Sequence, residues 1–505
     1  MRSSASCIAL LDGLGGIVSP APTIRCVKKP LRLVLLCGIF IGAAPAQQRA
    51  SVSPPSADGS QASSAPNFLR RLVNYYRDDW FPPPQSPVAP APATPQKRGL
   101  PSPLESPPLP SGDWSYGGSP DIGAPDSNSY PLMTAINQAR SRSKIYGWIE
   151  PGVNGSTSRD TNLPEAFDQY PNSIHLDQFM IHAERLPDTV QTKHFDWGYH
   201  VTAIYGTDYR YFTAKGYFSQ QLLKFNRQYG ADLPIEYVDL YFPRVSRGMN
   251  IRIGRFITLP GIETQLAPSN YTFSHSVLYF SGPLTDTGAL ATIKLSDQWL
   301  VQAGITASHD VAPWSNDAQP SGTLCVNYTT SSVNDNVYAC ANGINDGRYG
   351  FDNLQQFDIT WYHRFSKAIH IATEGWYMYQ HGVPNIAGRV INPIPPELGT
   401  NGASCRIGVP RCTAGEYAIV NYIEKELSPK LVLSFRSEVV NDRRGQRTGY
   451  TTKYSENMLS ITKWIGTTVE VRPELRFEHS YDQPAYDSGR SHSQFTAASD
   501  LIFHF

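Results

Sequence analysis

Beyond its N-terminal region this 505-residue chain has no apolar run of about 18 residues, the length a spanning helix requires, which excludes a helical membrane protein. Charge of one sign is also missing. The 43 basic residues meet 43 acidic ones, so nothing electrostatic points to a nucleic-acid partner. No H-E-x-x-H, Walker loop, G-x-G-x-x-G or G-x-S-x-G occurs, so no catalytic residue, metal or cofactor is assigned. Cysteine is scarce, at seven, and never forms a C-x-x-C, which argues against zinc.

Aromatic residues are abundant instead, with 28 Tyr, 21 Phe and 9 Trp, as two interfacial girdles would need. The final stretch, Gln494 to Phe505, alternates. Phe495, Leu501, Phe503 and Phe505 share one face, while Thr496, Asp500, Ile502 and His504 share the other. A strand that is greasy outside, tolerant of polar groups inside and ended by an aromatic suits the closing of a membrane barrel, which leaves no backbone edge in lipid. Leu501, Phe503 and Phe505 are the expected signal to the barrel-assembly machinery.

Lys28 and Lys29, the apolar run Leu31 to Ala43 and the small residues Ala44-Pro45-Ala46 make a secretory signal over 1–46. The residues before it are long for such a leader, and a start at Val27 would give a conventional one. From Gln47 to Pro131 lie 18 of the 41 prolines, a composition that buries no core and predicts an extended periplasmic arm over 47–142. One helix is expected inside it, over 67–81, with Phe68, Leu69, Leu72, Val73, Tyr76 and Trp80 on one face and Asn67 as cap. It would dock on a barrel rim or meet an envelope partner.

From residue 143 alternating segments predict an all-β, up-and-down transmembrane barrel of about fourteen strands. Val469 to His479 is the clearest, with Val469, Val471, Leu475 and Phe477 opposite Glu470, Arg472, Glu474, Arg476 and Glu478. Such a charged face needs water, which in a barrel fills the lumen, and Pro473 predicts a bulge. Short turns alternate with longer loops, among them 208–234, 257–285, 310–353 and 381–415. That parity puts the barrel's first strand and Phe505 on the periplasmic side. Cys7, Cys26 and Cys37 fall in the leader. Of the rest, spacing suggests Cys325 with Cys340 and Cys405 with Cys412, each within one outer loop, although four cysteines allow three pairings.

The segments K-I-Y-G-W-I-E-P-G (Lys144 to Gly152), N-I-R-I-G-R-F (Asn250 to Phe256) and the terminal D-L-I-F-H-F make the chain resemble the OmpL-like beta-barrel porins of bacterial outer membranes. The resemblance covers Lys144 to Phe505. It implies a barrel and a pore without a defined substrate, and it carries over no catalytic residue.

The expected pore-lining residues are Arg252, Lys294, Asp358, Arg364, Arg436, Glu438, Glu470, Arg472, Glu474, Arg476 and Glu478, both signs in cross-strand pairs. The loop 257–285, with Tyr271, Phe273, Tyr279 and Phe280, is too apolar for bare solvent and is expected to fold inward. Asp286-Thr287-Gly288-Ala289 matches an aspartic-protease signature, but Thr285 precedes it and a turn entering a strand explains it. Dense Asn and Asp at 121–128, 334–336 and 345–347 read as solvated turns rather than calcium ligands. The expectation is an outer-membrane channel for small polar solutes, in contact with lipid and open to self-association. A loop-borne hydrolase and a plugged structural barrel stand as alternatives.

Overall fold

In the computed structural model, residues 67–82, 131–137 and 141–505 are described, except 190, 260, 333, 367, 387–401 and 429. The expected leader, its three cysteines, most of the proline-rich arm and the 121–128 cluster lie outside the described residues.

Sixteen antiparallel strands close into one barrel, each bonded to its sequence neighbour. They are β1 (Lys144–Ser156), β2 (Ile174–Arg185), β3 (Asp196–Gly206), β4 (Gly230–Phe242), β5 (Met249–Ile257), β6 (Thr285–Lys294), β7 (Trp299–His309) and β8 (Ser321–Thr329). Then follow β9 (Asp335–Ile344), β10 (Gln355–Arg364), β11 (Ile369–Pro384), β12 (Arg411–Ser428), β13 (Leu431–Asp442), β14 (Thr452–Ile465), β15 (Val469–Ser480) and β16 (Ser493–His504). Closure is made by β16 against β1, with Trp148 opposite His504 and Ser156 opposite Thr496. Beyond that ladder Gly147 and Phe505 exchange two backbone hydrogen bonds of 3.1 and 2.9 Å.

Two-residue periodicity builds the wall. On β14 the side chains of Tyr454, Glu456, Met458 and Trp464 are buried inside, while Leu459, Ile461 and Ile465 are exposed outside. Phe195, Trp197, Trp299, Phe365 and Phe495 also lie exposed on outward faces or at strand ends.

The count of about fourteen strands is corrected to sixteen because β8 and β9 lie within 310–353, which the sequence presents as one outer loop. Their outward residues are modest (Leu324, Val326, Val337, Ala339), and their inward ones are Thr, Asn and Ser, which resemble turn formers. Within the sheet those polar groups bond one another: Asn327 and Asn336 exchange amide bonds of 3.1 and 3.0 Å, and Thr323 donates to Asn342 at 2.5 Å. β4 likewise begins at Gly230, inside the expected loop 208–234.

Both suggested disulfides form. The location of the first is corrected: Cys325 and Cys340 face each other across β8 and β9 on the inner wall, not in a loop. Pro473 makes no bulge. The β14–β15 ladder skips Arg472 and Pro473 and resumes at Val471 in the same register.

Two more strands leave the parity intact. Tight turns such as 243–248, 295–298 and 466–468 join strands at one end, while long connections such as 157–173 and 207–229 join them at the other. Helix α1 (Phe68–Trp80), capped by the Asn67 side chain on the Arg70 N–H at 2.9 Å, and helix α2 (Pro131–Asn137) precede β1. Short helices α3 (Gln220–Leu223) and α4 (Val277–Ser281) sit in long loops.

Candidate functional site

The loop 258–284 folds into the barrel, as its apolar content predicts. Leu259, Ile262, Leu266, Phe273, Val277, Leu278 and Phe280 are all buried. Burying a loop removes its backbone from water, so each N–H and C=O needs a new partner. The charged wall supplies them. Glu474 accepts from the N–H groups of Phe273 and Ser274 at 3.1 and 3.2 Å, Glu438 from Val277 and Leu278 at 2.7 and 3.0 Å, and Glu374 from Ile262 at 2.7 Å. The arginines take the carbonyls. Arg436 donates to Ser274 at 2.6 Å, Arg472 to Ala267 and Asn270 at 2.8 and 3.1 Å, and Arg476 to His275 at 2.7 Å.

This corrects the expectation that the charged face of β15 is wetted by lumenal water. Glu470, Arg472, Glu474, Arg476 and Glu478 are all buried, and loop backbone and opposite charges stand where water would. Arg436 holds Glu456 through Nε at 2.6 Å, and Arg476 joins the same carboxylate at 2.8 Å and Glu478 at 2.7 Å. Arg472 forks onto Asp500 of β16 and reaches Glu150 of β1 at 3.3 Å, so this network crosses the closing seam. Arg252 is a separate pair with Asp239 on β4, at 3.1 Å, and lies 3.7 Å over the Tyr237 ring. Asp358 lies inside beside Glu374. Glu470 is buried opposite Trp464.

Two expected lining residues stand apart. Lys294 pairs with Asp297 at 3.4 Å beside a tight turn, and Arg364 donates to Asn334 at 3.0 Å, so both sit at the tight-turn rim of the barrel.

Glu150, Asp239, Glu263, Glu374 and Glu456 are not among the residues expected from the sequence to line the pore. Strand parity marks Glu456 and Glu374, since each alternates with outward residues on its strand. Glu263 gives no such signal: it lies in a loop and is positioned only once that loop enters the barrel, where it bonds Ser276 and the Tyr422 hydroxyl, the latter at 2.8 Å.

A second loop meets the first. Ala166 of 157–173 bridges to His275, the Phe167 ring stacks on His275 at 3.9 Å and on Tyr211 at 4.6 Å, and Glu165 reaches Arg476 at 3.4 Å. Burial pushes the carboxyls of Glu165 and Glu263 up from their ordinary range, against the pull of Arg476 and Arg436 respectively. It pushes His275 well down, against the pull of the Thr264 carbonyl, which lies 2.9 Å from its Nε2.

A small cavity remains between loop and wall, lined by Thr258, Glu263, Gln265, Gln356, Glu374 and Trp376. Asp286 of the D-T-G-A stretch enters β6 and bonds His309 at 2.8 Å, both buried. Among the described residues no group of three or more His, Cys, Asp or Glu side chains is placed to hold a metal ion.

The family model described as putative beta-barrel porin-2, OmpL-like, matches residues 142–505. No curated protein matches the chain. Similar solved structures include the anion-selective porin from Comamonas acidovorans (TM-score 0.47, 7% identity, 72% of this chain and 99% of that one). Salmonella typhi OmpF in complex with daunomycin is similar at TM-score 0.46 and 11% identity, over 72% of this chain and 97% of that one. The outer-membrane channel DcaP of Acinetobacter baumannii follows at 0.44 and 8%, over 72% and 97%.

Proposed function

Since the chain belongs to the OmpL-like beta-barrel porin family and is an outer-membrane porin, we propose that it passes small hydrophilic solutes by passive diffusion along a route narrowed by the loop 258–284. The observation that carries this reading is that loop, held inside the barrel by backbone hydrogen bonds to Glu374, Glu438, Glu474, Arg436, Arg472 and Arg476. Solutes then pass through the space the loop leaves free, and the paired charges beneath the loop hold it in place. Arg252 and Asp358 line the wall away from the Arg436–Arg476 network, and Lys294 and Arg364 line the periplasmic mouth. No residue has a catalytic role in this reading. Leu501, Phe503 and Phe505 serve assembly, and self-association of barrels belongs to the same proposal.

Single-channel recording of the refolded protein in a planar bilayer tests it. Stable conductance steps are expected, and deleting residues 262–281 should enlarge them severalfold. A folded, inserted barrel with no steps, or a deletion that leaves conductance unchanged, would overturn the proposal. Recording with and without residues 47–143 shows whether the arm occupies the lumen.

A further inference from the structure

Helix α1 docks at the tight-turn end of the barrel with only part of its surface. Asp79 accepts from the Thr467 N–H at 2.9 Å and from the Thr468 hydroxyl at 2.8 Å, the Tyr76 hydroxyl donates to the His504 carbonyl at 3.0 Å, and Trp80 Nε1 donates to Thr468 at 2.9 Å. These bonds fix the helix beside the turn 466–468 and the end of β16.

A stripe that runs on from this contact is only partly covered by the described residues. Leu69, Val73, Tyr76 and Trp80 recur at i, i+4, i+7 and i+11, one line along a helix. Leu69 and Val73 are 66% and 64% exposed, a heavy penalty for apolar side chains in water. The stripe does not end in solvent. Its Tyr76 ring lies 5.0 Å from Phe503 and its Trp80 ring 6.3 Å from it, and Phe503 shares the outward face of β16 with the exposed Leu501 and Phe495. The apolar surface of the helix is thus continuous with the lipid-facing belt of the barrel. Arg70 and Arg77 lie exposed on the other side of Val73, and the surface pair between Arg77 and Asp78, at 2.9 Å, holds the guanidinium only weakly.

We propose that α1 is an interfacial helix that binds phospholipid of the periplasmic leaflet. Leu69, Val73, Tyr76 and Trp80 enter the boundary between headgroups and acyl chains, and Arg70 and Arg77 meet headgroup phosphates. Tyr and Trp are the residues that favour this depth. The inference rests on the outer-membrane location of the barrel.

Photo-crosslinking of the full chain in a Gram-negative outer membrane tests it, with p-benzoylphenylalanine placed at Val73 in one variant and at Asp78, on the opposite side of the helix, in another. Retained heat-modifiable migration first shows that each barrel is inserted. Irradiation should give a phospholipid adduct from position 73 and none from position 78. Equal adducts at the two positions, no adduct at 73, or a protein adduct there in place of lipid would each overturn the proposal. Conductance of the same variants separates the two readings: a conducting barrel without the adduct defeats only the lipid assignment, and an adduct on a silent barrel defeats only the channel.

Discussion

Arg436 shows how much each inward charge depends on its partners. Its guanidinium is fully buried and bonds Glu456, Glu263, the Tyr422 hydroxyl and the Ser274 carbonyl. Removing one member of such a network strands the others in a dry site, at a cost of about 3–5 kcal/mol. Arg436→Leu should therefore lower the unfolding free energy by that order in guanidinium titrations of the detergent-folded protein. Glu438→Gln keeps a carbonyl acceptor for the N–H groups of Val277 and Leu278 and should cost roughly 1 kcal/mol. Equal losses would show that the charge network does not hold the loop. His275 adds a pH dependence. Its folded pKa lies below the ordinary value, so the folded loop binds fewer protons than the free one, and its docking weakens as pH falls below about 6.5. Glu165 and Glu263, shifted upward, act with the opposite sign: their contribution is full below about 4.3 and is lost as pH rises through their folded values. Comparing wild type with His275→Gln isolates the first term. Between pH 7 and 5 the variant should lose the part of the conductance rise that histidine protonation supplies, and identical pH profiles would contradict this.

At the scale of elements, β8 and β9 depend on each other more than on lipid. Their outward residues are small or few, their inward ones are amides and hydroxyls, and a disulfide ties Cys325 to Cys340 across them. Closing a loop of 15 residues corresponds to about 3 kcal/mol in the chain-entropy account. The double substitution Cys325→Ser with Cys340→Ser should lower stability by up to that amount and speed hydrogen exchange in β8 and β9 before other strands. Uniform exchange across the barrel would show that the pair is no weaker than its neighbours. The same two strands mark where sequence reading ran out. Strands such as β15 were legible because a lipid face of Val, Leu and Phe against a charged face admits only one periodicity. In β8 and β9 the inward Asn and Thr carry the same local signal as a turn, and only their cross-strand bonds distinguish the two. For the loop 258–284 the direction of folding was legible from Tyr271, Phe273 and Phe280, whereas its partners were not. Burial against Arg472 or Glu474 is a contact between residues some 200 positions apart. The same distance explains why the charged face of β15 read as wet.

For the whole molecule the decisive feature is closure, since one open seam would leave two strand edges in lipid. The seam joins the two ends of the barrel sequence, and Gly147 sits where β1 meets both the C-terminus and β2. A Cβ there would stand 1.9 Å from the Met180 carbonyl oxygen of β2 and 2.8 Å from the Phe505 ring. The first contact is with backbone and cannot be relieved by a rotamer change. Gly147 also exchanges its N–H and C=O with Phe505, so a side chain at 147 would push β1 away from β2 and loosen its hold on the C-terminus together. Gly147→Val should abolish the compact species that migrates fast before boiling, while Gly155→Val, where nothing lies within 4 Å of the added carbon, should leave it unchanged. Deleting Phe505 removes the two backbone bonds and the ring that stacks on Phe179 at 6.1 Å, but leaves the ladder from Trp148 to Ser156 intact. That variant should still close, with a slower approach to the compact form in refolding time courses. If Gly147→Val folds like wild type, the seam is not where closure is decided, and the Arg472–Asp500–Glu150 network on its inner side becomes the next element to vary.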